Sequence, residues 1–303
     1  MFKSSVISYP NRGNYGDSRY RGNCSGYVIK DFLETYGYQD GLFVDPSEGG
    51  GTSRDVANEL GVRYIGLDLS KGFNLCTDDL YLTLGERAST IFWHSPYWRM
   101  IPYSGKNAMW GNKPHPFDLS HASSLQDFLS GCQLAISNIY DALRTKGTYG
   151  ILIGNWRHQG EYYNLSSMLE RLCPGKLVDE IIKVQHNCVS DRKTYRGSHF
   201  VRIAHEKLLV FQKANELFGF ALAYSIQKRI ELTKSITWKS AVKRILMSNG
   251  GPMALAEIYM QAEPYIAQTN NNHPHSKIRQ ILQDSRYFRR VERGVFDLVR
   301  EAA

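Results

Sequence analysis

Four short apolar runs, Gly41 to Val44, Val62 to Leu67, Thr90 to Trp93 and Thr148 to Ile153, alternate with segments whose apolar residues recur three and four apart. That alternation constrains the fold more than any other feature of the chain. Runs of this length suit strands buried on both faces, and helical spacing implies one face laid against a sheet. Residues 25–37 read as a first helix with Val28, Ile29, Phe32 and Leu33 inward, and a second runs through Val56, Ala57 and Leu60. A long helix from Gln126 to Arg144 turns Phe128, Leu129, Leu134, Ile136, Ile139, Tyr140 and Leu143 inward. Ile181 to Val189 and Phe200 to Gln212 predict a final antiparallel pair. The expected architecture is α/β: a Rossmann-like, mostly parallel sheet covered on both faces, with an antiparallel final strand.

From about Glu216 the pattern is helical only, with short helices at Ala241 to Met247, Ala254 to Met260 and Ser276 to Asp284. Tyr287 to Leu298 then reads as a two-stranded wing around Arg293-Gly294, so a small winged helix-turn-helix is expected. The predicted organisation is residues 1–213 as one domain, 214–234 as a helical linker and 235–303 as the winged helix. Charge divides along the same line. Residues 1–200 hold 21 Lys and Arg against 20 Asp and Glu, whereas residues 201–303 hold 16 against 9. A near-neutral front and basic rear suit an enzyme body with a polyanion-binding tail, or an ordinary basic surface on a helical domain.

No apolar run reaches the roughly 18 residues that span a bilayer, so no membrane partner is expected. Met1 to Asn14 has no apolar core of a secretory signal. Five scattered cysteines without a C-x-x-C pair predict neither a disulfide framework nor a metal site. The expectation is a reduced, cytoplasmic protein.

The segment Phe43-Val44-Asp45-Pro46-Ser47-Glu48-Gly49-Gly50-Gly51-Thr52-Ser53 ends a strand and opens a helix. Its glycines allow close backbone approach to a ligand, and the helix start offers free N–H groups. It is either a nucleotide loop or a tight turn. No Gly-Lys-Ser/Thr follows, so it is not a Walker loop, and it departs from G-x-G-x-x-G. Asp45 at a strand end suits a ligand bearing an amino group, and Asp68, ending the next strand, is placed to accept from ribose hydroxyls. Further on, Ile91-Phe92-Trp93-His94-Ser95-Pro96-Tyr97-Trp98 delivers hydrogen-bonding groups, a stiffening proline and two aromatics at another strand end. That set could hold a planar heterocycle, with Tyr97 stacked on it and His94 and Ser95 accepting from an exocyclic amine. It could also be a turn packed in the core.

Together these stretches resemble the amino-methyltransferases of DNA, which methylate N6 of adenine or N4 of cytosine. The resemblance covers roughly residues 9–213. Asp45, Pro46, Gly49, Gly51 and Thr52 fit the family's cofactor motif D-P-F-x-G-x-G-T, with Ser47 in place of Phe. His94-Ser95-Pro96-Tyr97 stands where the family has Asp/Asn/Ser-Pro-Pro-Tyr/Phe/Trp; Pro96 and Tyr97 match, His94 and Ser95 depart. The resemblance implies S-adenosyl-L-methionine as cofactor. Tyr20, Asn23 and Ser25 would cup its methionine end, or merely cap the first helix, and Asp78 would meet its adenine amine. His205 to Phe211 is similar to the last strand of many such methylases. The rear, about Ser235 to Val299, resembles a HARE-type helix-turn-helix. Double-stranded DNA is the implied partner, in a prokaryotic or phage setting; a homodimer and a restriction partner stay open.

On this reading the target base is flipped out of the duplex, at a few kcal/mol, and restacked. If His94 holds the amine, transfer should fall below about pH 6.5, where ordinary imidazole protonates. Ile101 to Trp110, with Lys106 at its tip, reads either as a mobile loop over the pocket or as an ordered connection. The DNA contacts expected are Trp98 and Lys106 near the base, Arg192, Lys193 and Arg196 for reading it, and Lys277, Arg279 and Arg289 on phosphates.

Overall fold

The computed structural model describes residues 1–38, 40–187, 200–214, 238–266 and 272–299. The chain divides into two units, one of Met1–Cys76 with Leu80–Lys213 and one of Thr77–Asp79 with Ala214–Ala303.

The first unit runs β1 (Val6–Ser8), α1 (Gly26–Tyr36), β2 (Phe43–Asp45), α2 (Thr52–Leu60), β3 (Tyr64–Gly66), α3 (Leu80–Leu84), β4 (Ala88–His94), α4 (Leu125–Ala142), β5 (Leu143–Gly154), a hairpin of β6 (Trp156–His158) and β7 (Glu161–Tyr163), α5 (Leu165–Glu170), β8 (Lys176–Val184) and β9 (His205–Gln212). Seven strands form one sheet in the order β1-β8-β9-β5-β4-β2-β3. Every neighbouring pair is parallel except those made by β9, which is antiparallel to both β5 and β8. This is the Rossmann-like α/β arrangement expected, with its single reversed strand.

Side-chain alternation distributes the core. Along β4, Ile91 and Trp93 face the layer holding Phe128, Cys132, Ile136 and Ile139 of α4, whereas Phe92 joins Val28, Ile29 and Phe32 of α1 and Val56 of α2. Opposite Phe92, Gly150 of β5 keeps the surface low: a Cβ there would lie 2.7 Å from the Phe32 ring. The helices after β2 and after β4 therefore cover opposite faces, although these strands are neighbours. Their connections diverge and leave a crevice beyond their carboxyl ends, the usual ligand position in open α/β sheets.

Five elements of this unit were not foreseen: β1, α3, β6, β7 and α5. β1 adds a parallel edge beside β8, and β6–β7 forms a small hairpin; these strands are three residues each and α3 and α5 five and six, too short to show a period. β8 also begins at Lys176 rather than Ile181, because its opening residues are exposed and carry no apolar alternation.

The second unit contains α6 (Trp238–Asn249), β10 (Met253–Ala254), α7 (Leu255–Ile266), α8 (Pro274–Ile281), β11 (Phe288–Glu292) and β12 (Val295–Leu298). Its strands pair antiparallel in the order β10-β12-β11. Val242, Leu246, Ile258, Ala262, Ile278 and Phe288 are buried within it. Among the described residues, no helix is long and apolar enough to cross a membrane.

Candidate active site

One cavity in the first unit lies at the crevice. It is lined by Asp45 to Gly49, Thr52 and Ser53 from the β2–α2 turn, Asp68 beyond β3, and Trp93, His94 and Pro96 from the end of β4. Gly49 and Pro96 thus share one cavity. Tyr20 and Asn23, Phe73 to Cys76, and Tyr103, Trp110 and Phe117 complete its walls.

The glycine turn is built around two buried carboxylates. Asp45 accepts from the Ser47 N–H at 3.0 Å and from the Ser53 hydroxyl. Asp68 accepts from Ser70 N–H at 2.8 Å and from Gly49 N–H at 3.0 Å, which ties the turn to the next strand end. Gly49 has φ +47°, and a Cβ there would meet the Tyr20 ring at 2.8 Å. Gly51, at φ +82°, starts α2 in the left-handed conformation that only glycine adopts freely. Burial pushes the Asp45 carboxyl up to about 7, with Glu48 and Asp68 adding repulsion and the Ser53 and Ser47 bonds opposing it.

Of the remaining cofactor candidates, Tyr20, Asn23, Pro46 and Thr52 line the cavity, and Ser25, Gly51 and Asp78 do not. Ser25 caps α1 instead: its Oγ accepts from the Tyr27 N–H and donates to the Asn11 carbonyl. In the segment of Asp78, the cavity is reached by Phe73, Asn74, Leu75 and Cys76. Glu48 was missed by sequence reasoning. It is 7% exposed, accepts from the Tyr64 hydroxyl at 3.1 Å and pairs with Lys71. An acid inside a glycine loop was the available signal.

The aromatic turn differs from expectation in three side chains. Ser95 is 1% exposed, its hydroxyl donating to the Pro96 carbonyl at 3.3 Å, so it does not face the cavity. Tyr97 does not line the cavity either; its hydroxyl donates to Glu206 Oε1 at 2.7 Å and lies 2.9 Å from His94 Nε2. Trp98 is a core residue rather than a DNA contact. Its indole sits edge-on to Trp156 and Tyr163, and its N–H donates to the Ala122 carbonyl at 3.1 Å. This packing holds Trp98 at φ +49°, a costly conformation for a bulky residue.

His94 lines the cavity with its imidazole pushed down to about 4: burial outweighs the attraction of Glu206, and Lys183 adds to the lowering. The expected loss of an acceptor below pH 6.5 is therefore corrected to a much lower pH. Glu206 was also missed. Burial alone would raise its carboxyl, but Lys183, His94 and Tyr97 together hold it well below the ordinary range.

The Ile101 to Trp110 stretch is an ordered connection. Asp118 accepts from the Ser104 N–H at 2.8 Å and from its hydroxyl at 2.6 Å, and Trp110 N–H bonds the Tyr103 carbonyl at 3.0 Å. Lys106 is exposed at its tip. Arg192, Lys193 and Arg196 lie outside the described residues. In the second unit, Lys277 and Arg279 are exposed on α8; Arg279 bonds Tyr259 at 3.2 Å. Arg289 is exposed but paired to the buried Asp297 at 2.9 Å.

No family model and no curated protein matches the chain. Among solved structures it is similar to a Thermus thermophilus protein provisionally described as a DNA modification methylase (18% identical, 32% of this chain and 40% of that chain, TM-score 0.26). It is also similar to TrmN from Thermus thermophilus (12% identical, 64% and 50%, TM-score 0.36). A third is the Burkholderia thailandensis 1,6-didemethyltoxoflavin-N1-methyltransferase with S-adenosylhomocysteine (13% identical, 63% and 78%, TM-score 0.36). The chain thus spans 40% and 50% of the length of the first two. Likenesses this loose reach no further than the fold, and what the cavity can do rests on its own residues.

Proposed function

We propose that the chain is an S-adenosyl-L-methionine-dependent methyltransferase that modifies the exocyclic N6 amine of a flipped adenine in double-stranded DNA. The observation that carries this reading is the meeting of the Asp45 and His94–Pro96 strand ends in one cavity. The cavity residues fit the donor. Asp45 and Asp68 are buried carboxylates suited to an ammonium and to ribose hydroxyls, and the Thr52 hydroxyl, 4% exposed, has no hydrogen-bond partner among the described residues. When bound, the donor supplies an electrophilic methyl group on a sulfonium sulfur.

The rest is work for this chain. Asp45 binds the amino group, Asp68 the ribose, and the glycine turn admits the ligand to the backbone. An adenine N6 lone pair is delocalised into its ring and is a poor nucleophile. A neutral His94 accepting one of its N–H groups favours a pyramidal nitrogen whose lone pair points away from the ring. Positioning of this kind, with water excluded by Tyr103, Trp110 and Phe117, provides the acceleration. Residues 235–303 serve as a winged helix-turn-helix, with Lys277 and Arg279 on phosphates.

The test is a transfer assay with isotopically labelled donor on double-stranded DNA, followed by digestion to nucleosides and mass identification. N6-methyl-2′-deoxyadenosine is expected. N4-methylcytosine would move the target to the other branch of the same chemistry. Donor binding without product on any DNA would favour a DNA-binding regulator, a reading motivated by His94-Ser95 in place of the usual pair.

A further inference from the structure

We propose that Glu206 is a positioning residue: through the Tyr97 hydroxyl it fixes His94 as the Nε2–H tautomer and so reserves Nδ1 as the ring's acceptor. The inference rests on methyl transfer only for its catalytic consequence; the tautomer itself follows from the hydrogen-bond geometry.

Glu206 receives three donors. Lys183 Nζ donates to Oε2 at 2.6 Å, and Gln185 Nε2 and the Tyr97 hydroxyl donate to Oε1 at 2.8 and 2.7 Å. The half-buried ammonium of Lys183 beside it keeps the carboxyl ionised, so it has no proton to give. A phenol carries one proton, and that of Tyr97 is committed to Glu206. At 2.9 Å from His94 Nε2, the Tyr97 oxygen can then only accept. Nε2 must carry the hydrogen, and a neutral imidazole has only one. Nδ1 is left with its lone pair and has no partner among the described residues.

The fold provides this chain of bonds. Because β9 runs against β5, its second residue Glu206 stands opposite Gly154, the last residue of β5, and opposite Lys183 of β8. Gly154 is needed there: a Cβ would lie 2.7 Å from the Tyr97 ring, which lies across it. Burial keeps a second proton off His94. Among the described residues, Glu206, Lys183, Tyr97, Tyr103 and Cys24 are titratable groups that act on this cluster.

The consequence is a neutral acceptor for one N–H, where the resembling family carries Asp, Asn or Ser. It also gives Tyr97 a job other than stacking.

The experiment is long-range 1H–15N correlation on the full chain labelled at histidine, with His94 assigned by its loss in His94→Asn. In the wild type, Nε2 should resonate as the protonated nitrogen and Nδ1 as the bare one. In Glu206→Gln the new amide can donate to Tyr97, whose hydroxyl then turns its proton toward Nε2, and the pattern should invert. In Tyr97→Phe it should become a mixture. Single-turnover transfer in Glu206→Gln should fall about 10- to 100-fold, with the donor Kd within about twofold of wild type. Lys183→Met/Glu206→Gln removes both charges of the pair and supplies a folded protein if the single variant is unstable. A wild-type His94 protonated at Nδ1, or an unchanged tautomer in folded variants, overturns the inference. The expected tautomers with no methylated DNA would uphold it and overturn the proposed substrate instead.

Discussion

Lowering the pH from 8 to 5 should weaken donor binding about 40-fold, and Asp45 should be the cause. In the free protein its buried carboxyl titrates at about 7, under desolvation and the repulsion of Glu48 and Asp68. A bound ammonium reverses that balance, so the donor selects the ionised form and pulls the paired carboxyl back down. Affinity then scales with the ionised fraction of the free site. With a value of about 7, that fraction is about 0.9 at pH 8 and about 0.01 at pH 5, a loss of about 2.7 kcal/mol. The donor's own amine titrates at about 7.7–8.0, the usual range of an α-amino group, so only about 0.4 of it is charged at pH 8. This offsets part of the carboxyl term, leaves a net loss of about 40-fold from pH 8 to 5, and weakens binding again above pH 8. Titration calorimetry at pH 5, 6, 7 and 8, in buffers of different ionisation enthalpy, reads both the affinity and the proton. At pH 6 close to one proton should be released per donor bound. Asp45→Asn should bind more weakly and lose both the slope and the proton. A wild-type Kd that stays within about threefold from pH 5 to 8 would refute the assignment of Asp45 to the ammonium.

At saturating donor, single-turnover transfer should be flat from pH 8 to about 5 and fall only as His94 protonates near 4; a midpoint near 6.5 would contradict the burial of that ring. Trp98→Ala should cost about 3–5 kcal/mol of stability in urea unfolding, the cost of emptying a core aromatic site, and unchanged stability would return Trp98 to the surface role first read for it. Raising salt from about 50 to 200 mM should weaken DNA binding steeply, and Lys277→Ala with Arg279→Ala should reduce the slope of log K against log salt by about two. Arg289→Ala should instead destabilise the second unit, since it leaves the buried Asp297 unpaired.

Much of the first unit was legible because burial on two faces leaves an unmistakable imprint. Phe43-Val44 and Ile91-Phe92-Trp93 had to be interior strands; Asp45 and His94 end strands in the structure as in the sequence, and Asp68 stands two residues past β3. What escaped reading was set by contacts distant along the chain. Trp98 looks exposed beside a proline turn, yet Trp156 and Tyr163, some sixty residues on, enclose it. Glu206 was visible as a lone acid beside an apolar strand, but only the direction of that strand brings it to Tyr97.

The reversal of β9 therefore matters beyond hydrogen-bond pattern. Parallel strands begin at the edge of a sheet remote from ligands, and their first residues serve the framework alone. A strand threaded the opposite way enters beside the crevice, and a change at its entry retunes the neighbouring chemistry while the ladder behind it keeps its register.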